Sequence, residues 1–185
     1  MSIRLLARTA ATGLLITASS VVSTTAAAQA PKPLDDPTIV AIFDAANSWD
    51  IETGELAAKQ GASKSVKDFG AMLARDHSMV RTQGRDLATK LHVTPTPPKD
   101  FAMAKDHATA IAKLKMLRGA AFDRAFLSHE VAFHKAVIDA VNTSLMPALK
   151  NAEVRALVTK VAPAFEAHRA AAQKLLDEQT AGGTN

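Results

Sequence analysis

Apolar side chains recur at helical spacing in four long segments of this chain, and no segment of useful length alternates between apolar and polar residues. Residues three, four and seven apart share one face of a helix, so each segment predicts an amphipathic helix. We expect helices over residues 37–60, 65–91, 120–144 and 151–179, with a weaker one over residues 100–117. This pattern predicts an all-α, single-domain protein, an antiparallel four-helix bundle with one extra short helix.

Local residues predict where the first two helices begin and end. Asp36, followed by proline, has the pattern of an N-terminal cap, and Gly61 can adopt a left-handed conformation after the last turn. Ser65 and Asp68 form a capping-box-like pair for the second helix. Three prolines in residues 92–98 exclude a helix there.

The N-terminus has the pattern of a secretory signal. Two arginines precede a short apolar run over residues 10–22, and Ala26 and Ala28 form a small-x-small cleavage site. We therefore expect a periplasmic or secreted protein, cleaved near Ala28, without a spanning helix in the mature chain. The expected segments are a signal peptide (1–28), a flexible lead-in (29–36), the bundle (37–179) and a disordered tail (180–185).

Composition excludes several functional classes. Removing the signal lowers the formal charge from +4 to +2, because two arginines and no acidic residues are lost. With no Tyr and one Trp, the chain lacks the basic and aromatic surface that binds nucleic acids. The absence of cysteine excludes disulfides and thiol chemistry. An envelope protein remains a candidate partner, and the oligomeric state stays open.

Ionisable side chains lie on stripes that should face the core. In residues 122–134 (FDRAFLSHEVAFH), two carboxylates and an imidazole share the apolar face. Buried charge is costly unless it is paired or ligates a metal. Six residues on the four long helices are therefore candidate metal ligands: His77, Asp123, His134 and His168 first, with Glu52 and Glu130 as secondary candidates.

Imidazole and carboxylate ligands suit zinc, iron, manganese or copper, and the residues do not choose among them. Alternatively, the same groups form a buried network that only sets the helix register. His92 and His107 lack partners at ligand spacing, and we expect His129 to be exposed.

Two known metal motifs are absent from the sequence. His129 and Glu130 resemble the start of the HExxH zinc-protease motif, but residue 133 is Phe133 instead of histidine. No glutamate is followed three residues later by histidine, as a di-iron site on two helices requires. No catalytic residue is assigned, and redox activity would require a bound metal.

Four short elements together resemble the bacterial "domain of unknown function 4142" family: Glu52-Thr53-Gly54, Asp76-His77, Phe122-Asp123 with His134, and Ala162-Pro163 with His168. The resemblance covers about residues 39–176. It implies an exported, ferritin-like four-helix bundle of no settled activity, often labelled an outer-membrane or membrane protein. Phe126 stands where the family commonly has Tyr, so a phenol hydrogen-bond donor is missing.

These observations lead to two hypotheses about function. The first is an exported helical bundle that binds a divalent metal or a small polar ligand through its inward residues. The alternative is a non-enzymatic envelope or stress-associated module.

Overall fold

The computed structural model describes residues 34–99 and 101–181. These residues contain no strand, which confirms the all-α prediction. The expected signal peptide, residues 29–33 of the lead-in and residues 182–185 of the tail lie outside the described residues. The helices are α1 (Asp36–Gln60), α2 (Lys64–Lys90), α3 (Ala102–Met116), α4 (Gly119–Ala140), the three-residue α5 (Met146–Ala148) and α6 (Ala152–Ala181). None of them combines the length and apolar character needed to cross a membrane.

Four long helices form the bundle, and two aspartates show how they run. Asp123, at the start of α4, accepts hydrogen bonds from the turn that begins α2. Asp36, at the start of α1, accepts the backbone N–H groups of Lys150 and Asn151, just before α6. The helices α2 and α4 therefore start at one end and α1 and α6 at the other, so the long connection containing α3 crosses the length of the bundle. This is the topology of a ferritin-like bundle.

Several helix ends differ from the predictions. Asp35 caps α1 by accepting the Thr38 N–H at 3.0 Å, which leaves Asp36 free to bind the far loop. Ser63, two residues before the predicted cap, accepts the Val66 N–H. Gly61 has φ −51° and ψ 140°, so its conformation is extended and not left-handed.

The fourth and last helices are longer than predicted. After Ala140, α4 continues through a π-helical turn, Val141–Leu145, into α5, which contains Pro147. Proline has no N–H to donate and its ring clashes with the preceding turn of a regular α-helix, and the departure from α-helical geometry lies directly before Pro147. Thr180 and Ala181 are helical, so they do not belong to a disordered tail.

The core has two apolar parts. One, at the end where α1 and α6 begin, is built around Ile39, Phe43, Val158 and Phe165. The other, at the opposite end, is built around Phe69, Phe122 and Phe126 among others. Apart from Asp123 at the start of α4, the buried polar residues of the long helices fall between these two parts, as a single layer across the bundle.

Two glycines bring α1 and α2 together. A Cβ on Gly54 would lie 2.6 Å from the carbonyl oxygen of Gly70, and a Cβ on Gly70 would lie 2.6 Å from that of Gly54. Neither position accepts a side chain without movement of the backbone. The Glu-x-Gly element therefore has a packing role through its glycine.

Candidate metal centre

The polar layer contains seven residues that are at most 6% exposed. They come from all four long helices: Asn47, Asp50 and Thr53 on α1, His77 on α2, Glu130 and His134 on α4, and His168 on α6. The buried residues of the described chain include no Lys or Arg. Imidazoles are therefore the only side chains in the layer that can balance its two carboxylates.

Three imidazoles meet in the layer. His77 Nε2 lies 3.2 Å from His168 Nδ1. His134 completes the group, and one ligand atom from each of the three residues lies within 4.8 Å of the others. Three helices thus bring three nitrogen ligands to one point.

Hydrogen bonds orient two of these rings from behind. His77 Nδ1 donates to Asn47 Oδ1 at 2.9 Å, and Asn47 is itself held because its Nδ2 donates to the Phe43 carbonyl at 2.8 Å. His134 Nδ1 donates to the backbone carbonyl of Glu130 at 3.0 Å. Each bond leaves the opposite nitrogen, Nε2, with a free lone pair in the neutral ring.

The third ring is held by a carboxylate. His168 Nε2 lies 3.3 Å from Asp76 Oδ2 and donates to it. In the neutral ring, His168 Nδ1 then has a lone pair that faces the lone pair of His77 Nε2. Two facing lone pairs repel each other unless a proton or a metal ion lies between them. An imidazole that donates its second N–H to a carbonyl or carboxylate is the usual arrangement for a metal-ligating histidine.

A carboxylate pair borders the imidazoles. Asp50 Oδ2 lies 3.5 Å from His77 Nδ1, and Asp50 Oδ1 lies 4.0 Å from His134 Nδ1. Glu130 Oε2 lies 3.4 Å from the same His134 nitrogen. Asp50, Glu130 and His134 form a second potential metal-binding group that shares His134 with the first. Asp50 Oδ1, both Glu130 oxygens and His134 Nε2 are buried without a hydrogen bond.

Burial and these charges shift the pKa values in opposite directions. Burial lowers the pKa of His134, but the carboxylates of Asp50 and Glu130 outweigh it and raise that pKa to about 9. Burial, reinforced by the charge of His134, lowers the pKa of His77 to about 3. Burial raises the pKa of Asp50 well above its usual value, although the charge of His134 opposes this. Burial also raises the pKa of Glu130, but His134 outweighs it and the net shift is downward. We infer a metal-free layer with an anionic Glu130 and a cationic His134, beside an Asp50 carboxyl whose pKa is raised by burial.

Four of the six sequence-predicted ligands come together, namely His77, Glu130, His134 and His168. Asp123 lies elsewhere, because it is eleven residues before His134 and hence about 16 Å away along α4. Its two oxygens accept the N–H groups of Ala62 and Ser63, each at 2.8 Å. The prediction that it joins the histidines does not hold, since a shared helix face does not imply a shared depth.

Glu52 also lies outside the polar layer. Its side chain is 46% exposed and accepts hydrogen bonds from His107 Nε2 at 2.9 Å and from Lys115 Nζ at 3.2 Å, both on α3. Two residues along a helix correspond to a rotation of about 200°, so Glu52 points away from Asp50. Glu52 therefore attaches α3 to α1. It is also the hydrogen-bond partner of His107, for which the sequence spacing had indicated no partner.

Asp50 and Asn47 were not among the ligands predicted from the sequence. They lie on a stripe with Phe43, Gly54 and Ala57, at spacings of four, three, four and three residues, which could have identified them. Because three of these five residues are polar or glycine, apolar residues alone do not mark this stripe. The neighbouring Trp49 faces α3, where it stacks on His107 at a centroid distance of 5.4 Å.

His129 is half-buried rather than exposed. Its ring stacks on Phe133, with 5.7 Å between the centroids. His92 is exposed, in the proline-rich connection, with φ at 53°. Neither residue belongs to a potential metal-binding group among the described residues.

Comparison with known proteins gives a family but no activity. The family model described as Domain of unknown function (DUF4142) matches residues 21–175. No curated protein matches the chain, and neither does any solved structure.

Proposed function

Because the chain belongs to the family called Domain of unknown function (DUF4142), whose description assigns no activity, we propose a function from the polar layer itself. The protein is an exported helical bundle that binds one divalent transition-metal ion. His77, His134 and His168 provide the nitrogen ligands, with Asp50 and Glu130 beside them.

The convergence of three oriented imidazoles is the observation that carries this proposal. Two nitrogens bound to one tetrahedral ion at about 2.0–2.1 Å are roughly 3.3 Å apart. The separation of His77 Nε2 and His168 Nδ1, 3.2 Å, agrees with this value. His134 is the third histidine of the set, and its Nε2 is buried without a hydrogen bond.

The charge of the layer also suits a dication. Two ionised carboxylates and three neutral imidazoles together carry two negative charges, which one divalent ion balances. Without the ion, a proton on His134 supplies part of that compensation, and burial shifts the pKa of Asp50 in the direction that favours its protonated form. Metal and protons therefore compete for the same groups, as is general for histidine and carboxylate ligands.

Imidazole nitrogens with neighbouring carboxylates suit zinc, iron, copper or manganese. Three imidazoles leave at least one coordination position for a carboxylate, water or another small ligand. When bound, an ion with accessible oxidation states would supply redox chemistry, and zinc would supply a Lewis acid. The residues of the chain orient the ligands and separate them from bulk water.

The test uses metal-free mature protein without a His tag. Each of the four metals is added in turn, and stoichiometry is measured by calorimetry and stability by thermal unfolding. A ligand at 100 times its dissociation constant stabilises the folded state by about 2.7 kcal/mol. We expect one ion per chain and a clear rise in Tm with at least one metal.

Matched histidine variants identify the site. His77→Gln and His168→Gln should abolish the metal-dependent rise in Tm. His92→Asn, which removes an exposed imidazole and tolerates a positive φ, should retain it. If no metal stabilises the wild-type protein, the layer is a hydrogen-bonded network that sets helix register, and the proposal is wrong.

A further inference from the structure

A largely apolar cavity lies directly beside the polar layer. It offers about 30 Å³ to the centre of a water-sized molecule, which is room for one or two waters or one small diatomic molecule. Most of its wall consists of aliphatic and aromatic side chains from α1, the end of α4, the π-helical turn and α6, including Phe43, Val137, Val141, Leu145 and Phe165.

The polar part of the cavity wall belongs to the candidate metal centre. Asp50, His77, His134 and Asn47 are its polar lining residues. Asp50 Oδ1 and His134 Nε2 are buried without a hydrogen bond. A buried polar atom without a partner costs about 1–3 kcal/mol, and a metal ion bound to these atoms would remove that cost.

The opposite part of the wall leads toward the surface. Ile42, Ala46 and Val137 are half-buried, and they lie on α1 and α4. These two helices pack against each other much less closely than α1 packs on α2. Met103 of α3 contributes to the wall here, and a flexible methionine can move aside at low cost.

The last part of the wall is formed by the π-helical turn Val141–Leu145. Single π-helical turns inside α-helices are rare and are frequent at functional sites. The turn places Val141 and Leu145 against the cavity, both of them buried. The cavity is thus bounded by an irregular element and not only by regular helix packing.

We propose that this cavity admits a small uncharged molecule, of the size of dioxygen or nitric oxide, to the open coordination position of the metal. The inference rests on the proposed function. An ion would lose its hydration against the apolar walls at high cost, whereas a small uncharged molecule would not. The available volume excludes larger organic substrates.

Nitric oxide binding to the protein loaded with Fe(II) tests the proposal. Ala46→Phe places a ring in the cavity, and Val137→Phe is the second filling variant, in case the first does not fold. Ala156→Phe adds the same atoms to an exposed position of α6 and is the control. We expect the filling variants to bind iron normally but to slow nitric oxide association by roughly tenfold or more, while the control leaves it unchanged.

Equal association rates in all variants, or iron-loaded wild-type protein that does not bind nitric oxide, would overturn the proposal. If the wild-type protein binds no iron, xenon uptake by the metal-free protein tests whether the cavity admits a small uncharged molecule, since dry apolar cavities bind xenon. Xenon that binds to the wild type and the control, but not to Ala46→Phe, supports the cavity even if the metal proposal fails. Absence of xenon from the wild type contradicts it.

Discussion

His168 Nδ1 lies 3.2 Å from His77 Nε2, across the contact between α6 and α2. Behind these nitrogens, His168 Nε2 faces Asp76 and His77 Nδ1 faces Asn47, and both neighbours are acceptors. A neutral imidazole has one N–H, and each ring uses it for its outer hydrogen bond. Neither ring therefore has an N–H left to donate to the other. A metal ion between them removes this conflict, since it accepts both lone pairs at once.

Alkaline pH should destabilise the metal-free protein through His134. Its pKa is about 9 in the folded state and about 6.5 when unfolded, so the folded state holds an extra proton between these values. The stabilisation is present below pH 6.5 and is lost as the pH rises through 9. Denaturant unfolding from pH 6 to 10 should show a loss of up to about 3 kcal/mol, and His134→Gln should flatten this slope. An unchanged slope in the variant would show that another group titrates.

Acid should destabilise the metal-free protein through His77. Its folded pKa of about 3 means that only the unfolded state takes up this proton between about pH 6.5 and pH 3. Stability should therefore fall as the pH decreases through this range. Urea titrations at successive pH values measure the effect, and His77→Gln should reduce it, whereas the exposed control His92→Asn should not.

Metal binding should release protons. At neutral pH the ion replaces the proton on His134, so we expect roughly one proton per ion and an affinity that rises with pH. Calorimetry in buffers of different ionisation enthalpy counts them. Glu130→Gln removes a carboxylate that raises the pKa of His134, so it should lower both the affinity and the proton count. Glu166→Gln, on the exposed face of α6, should change neither, and equal proton counts in all three proteins would contradict this account.

Asp123 should matter for stability and not for metal binding. Asp123→Ala removes two charge-assisted hydrogen bonds from the α1–α2 turn, each worth about 1.5–3 kcal/mol. We expect a loss of several kcal/mol in the free energy of unfolding, with unchanged metal stoichiometry. Asp139→Ala on the same helix removes only an exposed ion pair with Lys135 and should cost less than about 1 kcal/mol. If the folded Asp123→Ala variant did not bind the metal, this account would be wrong and Asp123 would be a ligand.

Gly70→Ala should destabilise the bundle although alanine favours helix. The new Cβ would lie 2.6 Å from the carbonyl oxygen of Gly54, and overpacking of this kind costs about 1–3 kcal/mol. Gly84→Ala is the matched control on α2, because its Cβ would meet only the Phe43 ring, at 3.3 Å. Thermal unfolding should show a clearly larger decrease in Tm for Gly70→Ala, and equal decreases would exclude a special contact at Gly70.

Helical periodicity was sufficient to predict the all-α fold and the inward faces of three helices. It identified His77, His134 and His168 because each follows apolar neighbours at spacings of three, four or seven residues. Local cap patterns located most helix ends within a few residues. They did not predict the π-helical turn, through which α4 continues past residue 144, where the helix was expected to end.

The depth of each residue along the bundle was decided by tertiary structure. Periodicity determines the face of a helix on which a side chain lies, but not its height relative to the neighbouring helices. That height depends on how the helices pair, here through the close approach of Gly54 to Gly70 and the loop anchored by Asp123. For this reason Asp123 shares a face with His134 yet binds a distant turn, while Asp50 joins the three imidazoles that the sequence identified one at a time.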